Sequence, residues 1–309
     1  MIRKFAKQLI ARFARYLIKT KLLPDCIILN MDGGICSQMH FYIAGKTIES
    51  RGQKVIFNLD WYDKVGKDMD GRFCRNFDLL KAFPDLEFSA TANRLLIKLY
   101  KISFCRHNEY FEDNRKPQWP ALKSPAFILG YFKETDEMFG KIFTDTFCPC
   151  VELPDRDNRD IYDKIETYEA ERGTCGIHVR RGDLARSLDA YGTPVTADYF
   201  EKSCREVTKE TPGVKFYMFS DEPEWCRQNL MPLLRIYDIE ICDINGSDKG
   251  WCDLILMSRC RHQISSQGSM GRYAALLRPT DRRNGLVTLP DNPVLAEWKD
   301  RFEHCITIK

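Results

Sequence analysis

The sequence predicts an α/β protein built on two parallel, doubly wound sheets, and three observations carry that reading. Short apolar runs of strand length alternate with helical stretches on both sides of residue 157. A turn carrying Gly33 and Gly34 follows the first such run and leads directly into a helix. Between the two alternating regions, Pro154 to Asn158 reads as a linker. The domains expected are therefore 24–157 and 158–309, preceded by a separate basic segment at 1–22.

Residues 1–22 hold seven cations (Arg3, Lys4, Lys7, Arg12, Arg15, Lys19 and Lys21) and no acid. Ile2, Phe5, Ala6, Leu9, Ile10, Phe13 and Leu17 recur every three or four positions, so the segment is a basic amphipathic helix. It has no apolar run near the roughly 20 residues that span a bilayer. Two placements stay open, on an anionic membrane surface or against the protein's own body. The net charge of +3 becomes −4 once those seven are set aside, which argues against a nucleic-acid-binding body.

The elements follow in order. Cys26 to Met31 reads as a buried strand, Gln38 to Glu49 as a helix and Val55 to Leu59 as a strand, together a βαβ unit. Residues 60–157 are less regular, with one further strand at Ala126 to Leu129. Beyond the linker come a helix at 161–171, a strand at Thr174 to Arg180, a helix at Ala197 to Thr208 and a strand at Val214 to Phe219. Asp221 and Glu224 suggest a capping box for the next helix. A strand at Ile239 to Ile241, a helix at Trp251 to Cys260, a strand at His262 to Ser265 and a helix at about 271–277 complete the pattern.

Thirteen cysteines are scattered singly, with no C-x-x-C, and no apolar leader points to secretion. Reduced thiols in a cytoplasmic protein are expected. Cys148 and Cys150 are the one tight pair, and a zinc site needs two more ligands.

Three constellations carry chemistry. In CGIHVRRGD, alternation sets His178 and Arg180 on one face of a strand and Arg181 on the other, at the carboxyl end where open α/β sheets bind ligands. Cations there have lost water, and an anion compensates them; the plainer reading is an ion pair to Asp183 or another acid, with His178 a hydrogen-bonded core histidine. In DLILMSRCRHQISSQGSMGRYAALL, the strand empties into Ser266, Gln267, Gly268 and Ser269 before a helix, a place for phosphate, with Ser269 as its N-cap and Asp253 within reach. In GGICSQMH, Gly34 allows close backbone approach, and Gln38 and His40 are expected to face the site. No G-x-G-x-x-G occurs there, so a dinucleotide fingerprint is not supported.

These stretches resemble the GDP-fucose-dependent fucosyltransferases that share an H-x-R-R-x-D element, most closely the bacterial α-1,2-fucosyltransferases of glycosyltransferase family 11. The element is His178-Val-Arg180-Arg181-Gly-Asp183, and FSDEPEWC, with Ser220 and Asp221, resembles the family's F-S-D-x-x-x-W. Ser37 replaces a frequent asparagine, and QGSMGRYAA stands where most relatives have N-S-S-F-S-W-W-A-A. The resemblance implies a GT-B-type fold whose two Rossmann-like domains face a cleft, GDP-fucose as donor, inversion and no metal or other cofactor. It implies that Arg180 holds the β-phosphate with help from Ser269, that His178 and Asp253 recognise guanine, and that Arg181 and Asp183 shape the loop. Gly34, Gln38, Ser220, Asp221 and Gly268 complete the donor-binding set. The base for the acceptor hydroxyl is open, with His40 or an acid such as Asp60 as candidates.

The acceptor the resemblance implies is a galactose in a bacterial surface polysaccharide or its lipid-linked precursor. Two rivals are a metal-dependent GT-A-type transferase, using Asp68-Met-Asp70 or Asp155-Arg-Asp157, and a non-catalytic subunit of a glycan assembly complex.

Overall fold

A computed structural model describes residues 2–68, 71, 73–107, 122–149, 152–182, 194–292, 295 and 297–309. The chain forms two compact units: Met1–Lys67 with Arg75–Leu79 and Asp85–Thr146, and Phe147–Lys309 with Asp68–Cys74 and Leu80–Pro84.

The first unit holds a five-stranded parallel sheet. Its strands are β1 (Ile27–Asn30), β2 (Val55–Asn58), β3 (Ala90–Thr91), β4 (Cys105–His107) and β5 (Ala126–Leu129), in the order β3-β2-β1-β5-β4. β1 is central because its apolar residues Ile27, Ile28 and Leu29 can be covered on both faces, and all three are buried. Helix α1 (Ile2–Lys19) packs on α3 (Arg94–Phe104), where Ala14 and Ile18 join Leu96, Ile97, Tyr100 and Phe104. Asn93 starts α3 by accepting from the Leu95 and Leu96 amides at 3.1 and 3.0 Å. Helix α2 (Ile35–Glu49) begins three residues earlier than the sequence pattern suggests, directly on the Gly33–Gly34 turn. Gly33 takes φ +75°, and a methyl there would also strike Ser37, so this turn requires glycine.

The second unit holds a six-stranded parallel sheet: β6 (Thr174–Val179), β7 (Lys215–Ser220), β8 (Ile239–Ile241), β9 (His262–Ser265), β10 (Val287–Pro290) and β11 (Cys305–Ile308). The order is β11-β10-β9-β6-β7-β8. The chain starts in the middle, winds outward through β7 and β8, then returns to the other side of β6, a doubly wound arrangement whose switch point lies between β6 and β9. Ile177, Val179, Phe216, Met218 and Ile264 form the core with Tyr199, Phe200, Cys204 and Val207 of α5 (Ala197–Glu210).

Two expectations need correction. The stretch read as a linker turns helical at Arg156, because α4 (Arg156–Arg172) is capped by Asp155, which accepts from the Asn158 amide at 3.0 Å. The Asp221–Glu224 capping box does not form: α6 (Pro223–Asn229) starts behind Glu222 with no side-chain cap, and Asp221 bonds the arginines after β6 instead. Both oxygens of Asp221 are taken there, one by the Arg180 guanidinium and one by the Arg181 amide, an ion pair a lone backbone amide cannot match. No disulfide joins the described cysteines.

Candidate active site

β6 runs down the middle of its sheet, and every residue of it is buried. Its carboxyl end is therefore flanked by the ends of β7 and β9, and both neighbours contribute to what surrounds Arg180. The Arg180 amide donates to Ser266 Oγ at 2.8 Å, tying the β6 exit to the β9 exit. The Arg180 guanidinium pairs through Nη1 with Asp221 Oδ2, just past β7. The Arg181 amide donates to Asp221 Oδ1 at 3.0 Å. The Arg181 side chain turns to Glu222 at 3.3 Å and lies over the Trp225 ring, 3.6 Å from its centroid.

The arginines are thus held by internal acids, with Asp221 in the role considered for Asp183, which lies outside the described residues. Planar guanidinium suits this position, because its fork can serve a carboxylate and a phosphate oxygen together.

His178 is buried, with Nδ1 3.4 Å from Ser266 Oγ. Burial, then the charges of Arg180 and Arg272, bring its pKa down to about 3, so it is neutral at physiological pH. Past β9, Ser266 and Gln267 are buried, and Gln267 Oε1 accepts from the Val195 amide at 3.1 Å. Gly268, Ser269 and Met270 are part-exposed. Ser269 stands at the N-cap of α8 (Met270–Leu276), but its side chain makes no capping bond, contrary to the N-cap reading.

Asp253 sits on the first turn of α7 (Gly250–Ser258) and accepts from Asn245 Nδ2 at 2.7 Å; Asn245 is in turn paired with Asn158. Part of its side chain is exposed, yet the surrounding protein desolvates the carboxyl and raises its pKa to about 7. The hydrogen bonds place Asp253 in the Asn158–Asn245 group, separate from the Arg180–Asp221–Ser266 group around His178.

Arg272 was not singled out by the sequence reading. It is buried on α8, 4.6 Å over the Trp298 ring, and its charge reaches His178. The available signal was QGSMGRYAA, the stretch in which the sequence departs from the pattern it otherwise resembles. Gly271 beside it packs so closely that a methyl would press on Ser265 and on His178 Cβ.

The first unit has its own switch point, between β1 and β5. Gly34 is there, at the N-cap of α2. Gln38 and His40 do not face a site, which corrects the expectation for both. Gln38 is fully buried, donating to the Gly33 and Asn76 carbonyls and accepting from the Asp78 and Leu79 amides. His40 Nε2 accepts from the Phe132 amide at 3.1 Å among Phe41, Tyr131 and Phe139, and burial lowers its pKa to about 4. A ring already used as an acceptor inside an aromatic cluster is a poor proton shuttle.

Asp60 pairs with Lys64 one helical turn on, at 2.5 Å. The carboxylate that sequence reasoning overlooked is Asp32, directly after β1. It accepts from Tyr131 Oη at 2.9 Å, beside Ser37 Oγ, and burial raises its pKa. A lone Asp between a strand and a glycine gives no periodic signal, which is why it was missed.

Neither D-x-D is presented as a ligand pair: Asp155 caps α4 and bridges Lys249 at 2.8 Å, Asp68 accepts from the Phe73 amide at 3.1 Å, and Asp70 lies outside the described residues. Among the described residues no group of three or more His, Cys, Asp or Glu could hold a metal ion.

An α-1,2-colitosyltransferase of Escherichia coli is 23% identical over 302 residues, covering 90% of this chain and 96% of that one. Galactoside α-(1,2)-fucosyltransferase 2 of Mus musculus is 32% identical over 127 residues, 40% of this chain and 36% of that protein, so little more than a third of the mouse protein is matched. The solved E. coli ADP-heptose LPS heptosyltransferase II superposes with a TM-score of 0.46 at 12% identity, over 92% of this chain and 90% of that one, too loosely for residue correspondences. The family model for glycosyl transferase family 11 matches residues 112–304, a stretch that contains both strands of the second switch point and everything around Arg180, and the chain belongs to that family.

Proposed function

We propose that this glycosyltransferase moves L-fucose from GDP-fucose to a hydroxyl, O2 of a galactose, on a bacterial glycan, with inversion and without a metal ion. The observation that carries the reading is the position of Arg180, at the switch point of the second sheet in a family 11 chain. As the bond from fucose C1 to the β-phosphate oxygen breaks, the electron pair leaves with GDP and negative charge grows on the diphosphate. Arg180 neutralises that charge with paired N–H donors, sharing its fork between phosphate and Asp221. Ser269, part-exposed with its side chain uncommitted to the helix cap, assists.

Asp253 would accept from the guanine edge and neutral His178 would complete the pocket floor. The acceptor oxygen attacks C1 and gives up its proton. Asp32, whose raised pKa suits a carboxylate that must take a proton, is a better base than His40. The two candidate acids differ in this respect: Asp32 is held by a neutral phenol, whereas Asp60 is paired with a lysine. We place the enzyme in the cytoplasm, peripheral to the inner face of a membrane. Among the described residues no helix is long and apolar enough to cross one.

A second reading keeps the reaction and exchanges the sugar. A colitosyl donor is favoured by the match to the E. coli colitosyltransferase, which runs over nearly the whole of both chains. Incubating the protein with GDP-fucose or GDP-colitose, with and without a β-galactoside, and following GDP release and the disaccharide product separates these. Galactoside-dependent release from GDP-fucose supports the first reading. Release from GDP-colitose alone replaces it with the second, and tight GDP binding with no turnover overturns both in favour of a non-catalytic subunit.

A further inference from the structure

Helix α1 has two apolar faces, and only one of them is used. Toward the body it lays Ala14, fully buried, flanked by part-buried Ile10, Ala11, Leu17 and Ile18. Turned away from the body, Phe5, Leu9, Phe13 and Tyr16 are 69%, 59%, 57% and 61% exposed. At about 100° per residue these four fall in one stripe, centred roughly 140° around the helix from Ala14. Single exposed apolar side chains are ordinary, but four large ones in a row on one helix are not. Leu22, just past the helix, is also exposed.

Charge identifies what covers the stripe. Exposed Arg12 and Lys19 border it, and the segment through residue 22 carries seven cations and no acid. Of the seven, Arg15 is partly engaged with the Phe104 ring of α3 at 5.9 Å. A second copy of the chain, docking stripe to stripe, would bring the same seven charges against it. An anionic lipid surface offers the opposite charge together with an apolar layer beneath it.

We propose that α1 lies in the plane of an anionic bilayer surface, with Phe5, Leu9, Phe13 and Tyr16 set into the acyl boundary and Arg12 and Lys19 against lipid phosphates. This deepens the peripheral placement given above and does not depend on which sugar nucleotide the enzyme uses. The helix then holds the first unit through α3 close to the membrane, where a lipid-carried glycan acceptor would be presented.

The test uses the full chain in vesicle flotation, with phosphatidylcholine alone and with about one-third phosphatidylglycerol. The protein should float with the anionic vesicles and stay in solution with the neutral ones. The triple variant Phe5→Ser, Leu9→Ser, Phe13→Ser should weaken binding on the order of a hundredfold or more. Arg12→Gln with Lys19→Gln should weaken it roughly 25-fold, about fivefold per charge. All of these side chains are exposed, so circular dichroism and turnover on a soluble galactoside should not change in either variant. That separates a failure here from a failure of the transferase reading. The proposal is overturned if the full chain ignores anionic vesicles, or if the triple serine variant floats like the parent. It is equally overturned if light scattering finds a dimer that the triple variant converts to monomer without any vesicle binding, which would assign the stripe to a second copy.

Discussion

Lowering the pH from 7.5 to 5.5 sets three buried histidines against the desolvated carboxyl of Asp253 and, to a smaller extent, that of Asp32. His40, His178 and His262 are kept neutral by burial, with pKa values near 4, 3 and 4. Each also has a ring nitrogen in use: His40 Nε2 and His262 Nδ1 accept backbone amides at 3.1 and 2.9 Å, and His178 Nδ1 lies beside Ser266. In the unfolded chain the same rings titrate near the usual 6.5. Their contribution is therefore complete above pH 6.5 and is lost as the pH falls toward 4, by about 1.4 kcal/mol per ring between pH 7.5 and 5.5, or about 4 kcal/mol in all.

Asp253 works the other way. Its folded pKa is raised to about 7, so acidification lets the native state take up a proton that the unfolded state binds only near pH 4. Over the same interval this returns about 2 kcal/mol. The net expectation is a loss of at most about 2 kcal/mol, since the raised carboxyl of Asp32 adds to the offset, and Asp253→Asn, which removes the larger offset while keeping an acceptor for Asn245, should lose about 2 more than the parent.

Urea unfolding at the two pH values, followed by tryptophan fluorescence and circular dichroism, measures both. If the units unfold separately, the one containing His40 should lose at most about 1.4 kcal/mol, less what Asp32 returns, and the other about 1. A transition that does not move, or that moves to higher urea at pH 5.5, refutes the neutral histidines. Equal losses for parent and Asp253→Asn refute the protonated carboxyl.

Three further outcomes follow from the same contacts. Gly271→Ala drives a methyl into Ser265 and His178 Cβ, and should cost about 1–3 kcal/mol of stability with a disproportionate drop in kcat, measured by urea unfolding and initial rates. Asp32→Asn should lower kcat by about a hundredfold or more with little change in KM for the donor and should remove the acidic limb of the pH–rate profile; an unaltered profile assigns the base elsewhere. Transfer should persist in EDTA, since the leaving diphosphate is met by a guanidinium, and strict recovery by Mn²⁺ would contradict this.

Sequence and structure agree where periodicity is strong. The strands at Ala126–Leu129, Ile239–Ile241 and His262–Ser265 have the expected bounds; the first is a continuous apolar run closed by Gly130, and the other two fall at the regular strand intervals of the alternating region. β3 escaped notice with two residues, and β10 and β11 because they follow the region where strand–helix alternation stops. The place of Arg180 at a strand's carboxyl end was legible from alternation alone. Its partner was not: nothing in the spacing distinguishes Asp183 from Asp221, which comes near only once β6 and β7 pair in register, with Val179 opposite Ser220.

His40 misled for the opposite reason. A histidine two residues after Gln38 on a Gly-started helix looks exposed in a pattern, but the helix is buried nearly all round by the aromatics of residues 131–139. A side chain whose role depends on a neighbour far along the chain, such as Asp32 with Tyr131, leaves no local trace.

The most direct test of Arg180 is turnover by Arg180→Lys beside Arg180→Ala, with GDP-fucose and a β-galactoside at saturation. Lysine keeps a cation opposite Asp221 and so keeps the fold, but it has no fork for a phosphate oxygen. Both variants should lose a hundredfold or more in kcat, about 3 kcal/mol in barrier, with the lysine variant unfolding at the parent's urea midpoint. A lysine or alanine variant that retains most of its turnover would mean that the departing diphosphate is stabilised somewhere other than the β6 edge.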